Sequence, residues 1–205
     1  MSELKPISFD DIHQNMQLIC DESAPDYTHV VIYRKWRLFY SLTGEHSPVD
    51  INDDNADGVP DYIDLMLYKF ETARLLLSQC FNLRDPLEVG PFVEKGAVYI
   101  DVFIRNIAKE HGIASATVFD EQHSLLAGSH FQGKSLKITV HRNLIKKTAT
   151  PMHELFHVFQ YAYCQFNNMW FMEGLARWSQ SIVQVGQGKE EALPKNHQEL
   201  DTLIN

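Results

Sequence analysis

The sequence predicts a domain of the α+β class, and two observations predict it. Three segments, residues 29–44, 97–104 and 136–140, are rich in the β-branched and aromatic residues that strands favour. Three others, residues 62–81, 150–163 and 171–185, have the pattern of helices. A chain of 205 residues, 44% of them hydrophobic, is long enough to bury one core. We therefore expect one domain with a small mixed sheet, a long packing helix and two later helices.

The first part of the chain leads from an irregular arm to the long helix. Residues 1–27 are mixed and polar and predict an irregular arm. Residues 29–44 end on a glycine turn and predict a strand or a hairpin. Acidic residues and asparagines in residues 49–64 predict a loop, which leads into an amphipathic helix over residues 62–81. The apolar stripe of that helix consists of Ile63, Met66, Leu67, Phe70, Leu76 and Leu77.

The second part of the chain holds two strands and two helices. Proline and glycine make residues 82–96 loop-like, and strands are expected at residues 97–104 and 136–140. Thr150 can cap a helix with Pro151 at its first position, where the missing amide hydrogen costs nothing. We expect this helix to end near Tyr163, a second helix over residues 171–185, and a polar tail after it.

Charge and hydropathy exclude two classes of protein. Asp and Glu number 27 against 18 Lys and Arg, and the net charge of −9 argues against non-specific nucleic-acid binding. No stretch reaches the roughly 18 to 20 consecutive apolar residues of a membrane span. The first residues lack the basic start and apolar core of a signal peptide, so the compartment stays open, with a secreted or periplasmic location among the alternatives.

The three cysteines, Cys20, Cys80 and Cys164, are widely spaced and contain no C-x-x-C pair. This spacing indicates neither a disulfide scaffold nor a thiolate zinc site. We expect buried free thiols, with a single disulfide as the alternative.

The pentapeptide HELFH at residues 153–157 has the H-E-x-x-H pattern. On a helix, His153 and His157 project from one face, one turn apart, and both can reach one Zn²⁺ at about 2.0–2.1 Å. Glu154 can reach a water on the metal without being a ligand, which predicts a general base. The alternative is an amphipathic helix with these residues in solvent. The apolar flanks favour a buried helix, in which the imidazoles need a partner such as a metal.

A third zinc ligand follows by elimination. A His-rich continuation needs Gly at position 160 and His at position 163, but the chain has Gln160 and Tyr163. The segment WFMEGLARW at residues 170–178 offers Glu173 on a second helix. The chain between His157 and Glu173 is long enough for a helix to end, reverse and return a carboxylate to the metal.

The two blocks HELFHVFQ and WFMEGLARW resemble the gluzincins, zinc metallopeptidases with the zincin fold whose third ligand is a Glu in a W-x-x-E-G-x-A type segment. The upstream DNADGVPDYID is also similar to a segment in a group of bacterial metallopeptidases that carry it ahead of H-E-x-x-H. The resemblance extends over residues 40–178. It implies a zincin-like domain with a strand antiparallel to bound substrate beside the active-site helix, for which residues 136–140 are the candidate.

The sequence departs from the thermolysin-like branch at Arg177, where that branch has an Asp that supports a zinc-binding His. Another partner must therefore orient His153. Tyr161, Tyr163 and Arg177 are candidate oxyanion stabilisers, although a Tyr on a helix is more often a packing residue.

The segment DDNADGVPDYID also matches a calcium loop counted from position 53. Gly58 takes position 6, where the loop turns sharply. Asp64, at position 12, has a shorter reach than the usual Glu, so weaker affinity is expected. The alternative is a solvated turn that caps the following helix. The predicted calcium ligands are Asp53, Asn55, Asp57, the carbonyl of Val59, Asp61 and Asp64.

These patterns together predict a zinc peptidase that is stabilised by calcium and acts on a peptide or protein substrate. In this interpretation residues 28–150 hold the sheet, the calcium-type loop and the packing helix, residues 150–185 hold the zinc-binding helices, and residues 186–205 form a polar tail of the single domain 1–205. Two alternatives remain: a non-catalytic binding domain stabilised by zinc and calcium, and a zinc hydrolase of non-peptide amides or esters. Glu154 argues against the first, because a structural site needs no general base.

Overall fold

A mixed six-stranded sheet forms the centre of the fold and confirms the α+β class. The computed structural model describes residues 7–108, 111–120, 122–144, 148–163 and 168–184. The strand order is β1-β2-β3-β4-β6-β5, with parallel pairing of β4 to β3 and β6 and antiparallel pairing elsewhere. The strands are β1 Gln17–Cys20, β2 His29–Tyr33, β3 Trp36–Tyr40, β4 Ala97–Arg105, β5 Gly112–Ala114 and β6 Lys134–His141.

The hairpin expected within residues 29–44 is confirmed by β2 and β3, and every residue of both strands is buried. Alternate residues enter two apolar clusters, one on each side of the sheet, as the period of a strand requires. Val31 and Leu38 belong to the larger cluster, and Val30 and Phe39 belong to the smaller one. Both faces of the hairpin are therefore covered.

The three long helices lie at the positions that the sequence predicts. Helix α2, Asp61–Leu75, continues into a π-helical turn at Leu76–Cys80 and confirms the long packing helix. Helix α4, Thr150–Tyr163, and helix α5, Met169–Gln184, confirm the two later helices. Thr150 already belongs to α4, and the hydroxyl of Thr148 accepts a hydrogen bond from its amide at 3.2 Å. A short helix α3, Pro91–Glu94, precedes β4.

The expected irregular arm is wrong for part of residues 1–27. Helix α1, Phe9–Asn15, forms there, and Ser8 caps it by accepting a hydrogen bond from the Asp11 amide. Strand β1 follows and pairs with β2. Ile12 is fully buried and attaches α1 to the larger apolar cluster. Ile12 is the one buried residue of this short helix.

The expectation of buried thiols is wrong for two of the three cysteines. Cys20 and Cys80 are free but exposed, because one ends the outer strand β1 and the other ends the π-helical turn. Cys164 and the predicted tail at residues 186–205 lie outside the described residues. Among the helices in the described part of the chain, none combines the length and the apolar character needed to cross a bilayer.

Candidate metal centres

Helix α4 places the two histidines of the H-E-x-x-H pattern side by side. His153 and His157 are four residues apart, and their Nε2 atoms lie 3.1 Å from each other. Both rings are largely enclosed, with side-chain exposures of 14% and 7%. The helical repeat alone accounts for this proximity, since residues i and i+4 lie on the same face.

Helix α5 brings Glu173 to the same point. Its Oε2 lies 3.4 Å from Nε2 of His153, and its Oε1 lies 3.3 Å from Nε2 of His157. The buried residues Met172 and Ala176 of α5 fix the face that packs inward. The three predicted zinc ligands therefore converge, and their ligand atoms lie within 4.8 Å of one another.

The spacing of these atoms fits a tetrahedral ion. Two atoms that are bonded to such an ion at 2.0–2.1 Å lie about 3.3–3.4 Å apart. Nε2 of His153 lies 3.1 Å from Nε2 of His157 and 3.4 Å from Oε2 of Glu173, while Nε2 of His157 lies 3.3 Å from Oε1, so each histidine faces a different oxygen of the carboxylate. Two imidazole nitrogens and one carboxylate are also a donor set that zinc accepts. The residues present can therefore hold Zn²⁺ at three of four positions.

Gln160 fixes the tautomer of His157, a role that the sequence interpretation missed. The Nε2 of Gln160 donates to the carbonyl of Met172 at 3.2 Å, which turns its Oε1 towards Nδ1 of His157 at 2.9 Å. Nδ1 therefore carries the hydrogen, and the lone pair of Nε2 points into the cluster. The spacing of three residues from His157 on a helix could have identified Gln160.

The environment of His153 favours its neutral form. Burial, the neighbouring His157 and Arg177 lower the pKa of His153, while Glu173 opposes that change. A neutral imidazole is the form that binds a metal. Its Nδ1 is buried and has no hydrogen-bond partner within the described residues. The partner that orients His153 is therefore not among them.

Glu154 is 6% exposed and stands beside the first histidine, outside the three-ligand group. Strand β5 packs against α4 and forms the wall next to it. Glu154 is therefore enclosed next to the cluster.

The expectation that residues 136–140 form the strand beside substrate is wrong. They belong to β6, which pairs with β4 on one side and β5 on the other, so its backbone groups are already used. Strand β5 is the edge strand next to α4. This strand is only three residues long, and one exposed side chain lies between two half-buried ones. A segment this short has too little alternation for the sequence to predict a strand.

The three candidate oxyanion stabilisers have different surroundings. Tyr161 stacks on the ring of His157 with centroids 6.0 Å apart, and burial together with Glu154 and Glu173 raises the pKa of its hydroxyl. The hydroxyl of Tyr163 accepts a hydrogen bond from the backbone amide of Arg84 at 2.7 Å. Arg177 is exposed on α5. Tyr161 is thus a protonated donor beside the cluster, whereas the hydroxyl of Tyr163 is engaged elsewhere.

The acidic loop at residues 53–64 uses its side chains to hold its own backbone. The carboxylate of Asp53 accepts hydrogen bonds from the amides of Asp57 at 3.2 Å and Gly58 at 2.9 Å. Gly58 has a φ of +90°, which favours glycine and agrees with the sharp turn expected there. Asn55 accepts from the amide of Asp57 at 3.1 Å, and Asp57 accepts from the amide of Val59 at 2.9 Å.

The end of this loop forms a second cluster with a residue that the sequence interpretation missed. His13 of α1 lies 3.2 Å from Oδ2 of Asp64 and 3.8 Å from Oδ2 of Asp57, and the three side chains can share one ion. Asp61 instead accepts a hydrogen bond from the amide of Asp54 at 3.2 Å. No sequence signal identifies His13, because its position depends on how α1 packs.

Asp64 is the most perturbed carboxyl of the loop. It is 3% exposed, and its Oδ1 has no hydrogen-bond partner within the described residues. Burial, and next the charge of Asp57, raises the pKa of Asp64 to about 7. A cavity of about 660 Å³ opens beside it and is lined by α1, the loop and Arg142. A cation near Asp64 would relieve both the burial cost and the repulsion.

Comparisons with protein-family models, with curated proteins and with solved structures give no match to this chain.

Proposed function

We propose that this chain is a zinc-dependent peptidase of the gluzincin type with a zincin-like domain. The observation that carries the proposal is the convergence of His153, His157 and Glu173 at separations of 3.1 to 3.4 Å. Zinc held there would polarise the scissile carbonyl and make a water acidic enough to ionise near pH 7. His153 and His157 supply neutral nitrogen donors, and Glu173 supplies the negative charge that favours a dication.

Glu154 acts as the general base in this proposal. It follows His153 directly in α4, is enclosed beside the three ligands and is not part of the ligand group. A carboxylate in this place can take a proton from the attacking water and later pass it to the leaving amine. Tyr161 keeps its hydrogen, because the pKa of its hydroxyl is raised, and it can donate to the oxygen that becomes negative.

An extended peptide is the substrate class that the neighbouring strand favours. The residues that flank β5 bond to β6: the carbonyl of His111 accepts from it and the amide of Ser115 donates to it. Because bonded and non-bonded pairs alternate in antiparallel strands, Gly112 and Ala114 turn their N–H and C=O groups to the outer edge, where no strand of the described residues pairs. A peptide can add to such an edge through main-chain hydrogen bonds.

Metal analysis and one substitution test this function. The purified protein should carry about one zinc per chain. Glu154→Gln should keep the zinc and lower peptide hydrolysis about 10²- to 10⁴-fold, because it removes the base and leaves the ligands. Glu173→Ala should instead lose zinc and activity together. A broad peptide library, with an ester and a non-peptide amide in parallel, identifies the bond that is cleaved.

Three results would reject the peptidase. If the protein contains no zinc after it has been supplied with metal, the proposed zinc centre does not exist. Equal hydrolysis by the parent chain and Glu154→Gln, or none by either, makes the zinc cluster a structural site in a binding domain. Cleavage of the ester or amide without any peptide would assign the chain to another class of zinc hydrolase.

We also propose that the acidic loop binds calcium and stabilises the fold. The unpartnered Oδ1 of buried Asp64 and its repulsion by Asp57 support a cation at this place. Asp53, Asn55, Asp57, Asp61 and the Val59 carbonyl would provide the other oxygen ligands. Calcium would attach the loop to α2, which begins at Asp61.

A further inference from the structure

Gly112 of β5 lies directly against Glu154. A Cβ atom at this position would lie 2.5 Å from Cγ, 2.6 Å from Oε1 and 2.7 Å from Cδ of Glu154. These are the three heavy atoms nearest to it, and all three separations are shorter than real Cβ contacts allow. Any side chain at position 112 would therefore force Glu154 or β5 to move.

The backbone conformation does not require glycine at this position. Six other glycines, Gly58 among them, have φ between +75° and +146°, where side chains are strained, and Gly112 is not one of them. Alanine could adopt its backbone conformation without strain. Glycine is therefore needed at position 112 because only a residue without a side chain leaves room for Glu154.

The same contact explains why Glu154 is enclosed. Strand β5 packs on α4, and Ile113, the next residue, is 46% exposed, so its side chain does not cover the glutamate. Because Gly112 has no side chain, the strand itself can come up to the carboxylate. The wall beside Glu154 is therefore formed by the backbone of β5 rather than by a side chain.

We propose that Gly112 is a positioning residue that fixes the carboxylate of Glu154 beside the three metal ligands. Its catalytic consequence rests on the proposed peptidase function, whereas the contact itself does not. The strand limits the conformations of the Glu154 side chain, and a displacement on the order of 1 Å at a catalytic group can cost about 100-fold in rate. Gly112 acts through Glu154 and need not touch the reacting atoms.

A melting cycle tests the contact without any assay of activity. Gly112→Ala should lower the Tm of the parent chain by several degrees, because added atoms in a filled site cause strain. Glu154→Ala removes the three atoms that the new Cβ would meet, so Gly112→Ala should cost little Tm in that background. Gly174→Ala is the matched control, since a Cβ there meets nothing within 4 Å. An equal loss of Tm in both backgrounds would show that positions 112 and 154 are not coupled, and would contradict the contact.

Kinetics test the positioning role. Gly112→Ala should lower kcat about 100-fold, with KM and zinc content close to those of the parent chain. His130→Ala, at an exposed residue outside the cluster, should retain the parental kcat. A parental kcat in Gly112→Ala would overturn the positioning role even if the melting cycle shows coupling.

The two arms also separate this inference from the function on which it rests. If the parent chain cleaves no peptide, the peptidase proposal and the catalytic consequence fail together. The melting cycle still decides whether Gly112 and Glu154 are coupled. If the parent chain is active and the cycle shows no coupling, only the inference about Gly112 fails.

Discussion

The two candidate centres differ in what holds their ligands. His153 and His157 are held by the repeat of one helix, and Glu173 comes from a second helix that packs on the first. In the acidic loop, the carboxylates of Asp53 and Asp57 also accept backbone hydrogen bonds. Loss of a ligand from the helical centre should therefore weaken metal binding and leave the helices in place. Loss of a ligand from the loop should weaken metal binding and also remove backbone hydrogen bonds that hold the loop.

The centres also differ in charge. The helical cluster combines two neutral donors with one carboxylate. The loop gathers several carboxylates around buried Asp64, and the imidazole of His13 lies beside them. The helical centre can therefore stay folded without metal, while the loop gains stability from a cation through relief of repulsion.

The largest effect is expected for His157→Ala. This change removes one of three ligands and should reduce zinc from about one per chain to background, with hydrolysis falling to the uncatalysed rate. His130→Ala is the matched control, because His130 is exposed and lies outside the cluster. Metal analysis after dialysis measures the result. Full retention of zinc by His157→Ala would show that His157 is not a zinc ligand.

Calcium should produce the next largest effect, on thermal stability. At 100 times its Kd, a ligand that binds only the folded state adds about 2.7 kcal/mol, which raises Tm by about 5–10 °C for a chain of this size. Asp57→Ala should lower Tm even in chelator, because the Val59 amide loses its acceptor. It should also abolish the increase that calcium causes.

Asp54→Ala provides the control for that experiment, since exposed Asp54 is not a predicted ligand. It should keep the calcium-dependent increase. A zinc-selective chelator shows whether the increase belongs to the zinc cluster instead. Identical melting of the parent chain in calcium and in chelator would leave the loop as a simple turn that caps α2.

A smaller effect is expected at Gln160. Gln160→Ala removes the acceptor for Nδ1–H of His157 and should weaken zinc binding about 10- to 100-fold, with little change in Tm. Gln160→Glu keeps an acceptor for His157, loses the donation to Met172 and adds a negative charge that makes the imidazole more basic, so its affinity should equal or exceed that of the parent chain. Competition titration with a chromophoric chelator measures both. Parental affinity in Gln160→Ala would contradict the orienting role.

Local spacing explains which of these features the sequence predicts. The helical spacing of residues predicts the long helices and the ligand pair on α4. The position of Gly58 within the acidic segment predicts the turn. Ser8 and Asp11 carry an N-cap signal for α1 that the reading of residues 1–27 missed. Gly112 and His13 could not be found in this way, because each meets its partner only through packing of distant segments. The order of the strands likewise depends on long-range pairing, which the pattern of residues 136–140 does not encode.

The pH dependence of stability sharpens the difference in charge between the centres. The pKa of Asp64 rises from an ordinary 3.8 to about 7 in the folded protein, first because of burial and next because of Asp57. Between about pH 4 and pH 7 the folded state therefore binds a proton that the unfolded state lacks. The stability that Asp64 contributes falls as pH rises through this window, by at most about 1.4 kcal/mol per pH unit.

Asp64→Asn keeps the size of the side chain and removes its titration. In chelator, the Tm of this variant minus that of the parent chain should increase from pH 5 to pH 8, because only the parent must ionise a buried carboxyl. Saturating calcium at pH 8 should reverse the order, since the cation needs the ionised carboxylate and the amide binds it less well. Scanning calorimetry at four pH values, with and without calcium, gives both comparisons. Parallel curves in chelator would mean that Asp64 is ionised throughout, and the acidic loop would then need no cation to relieve it.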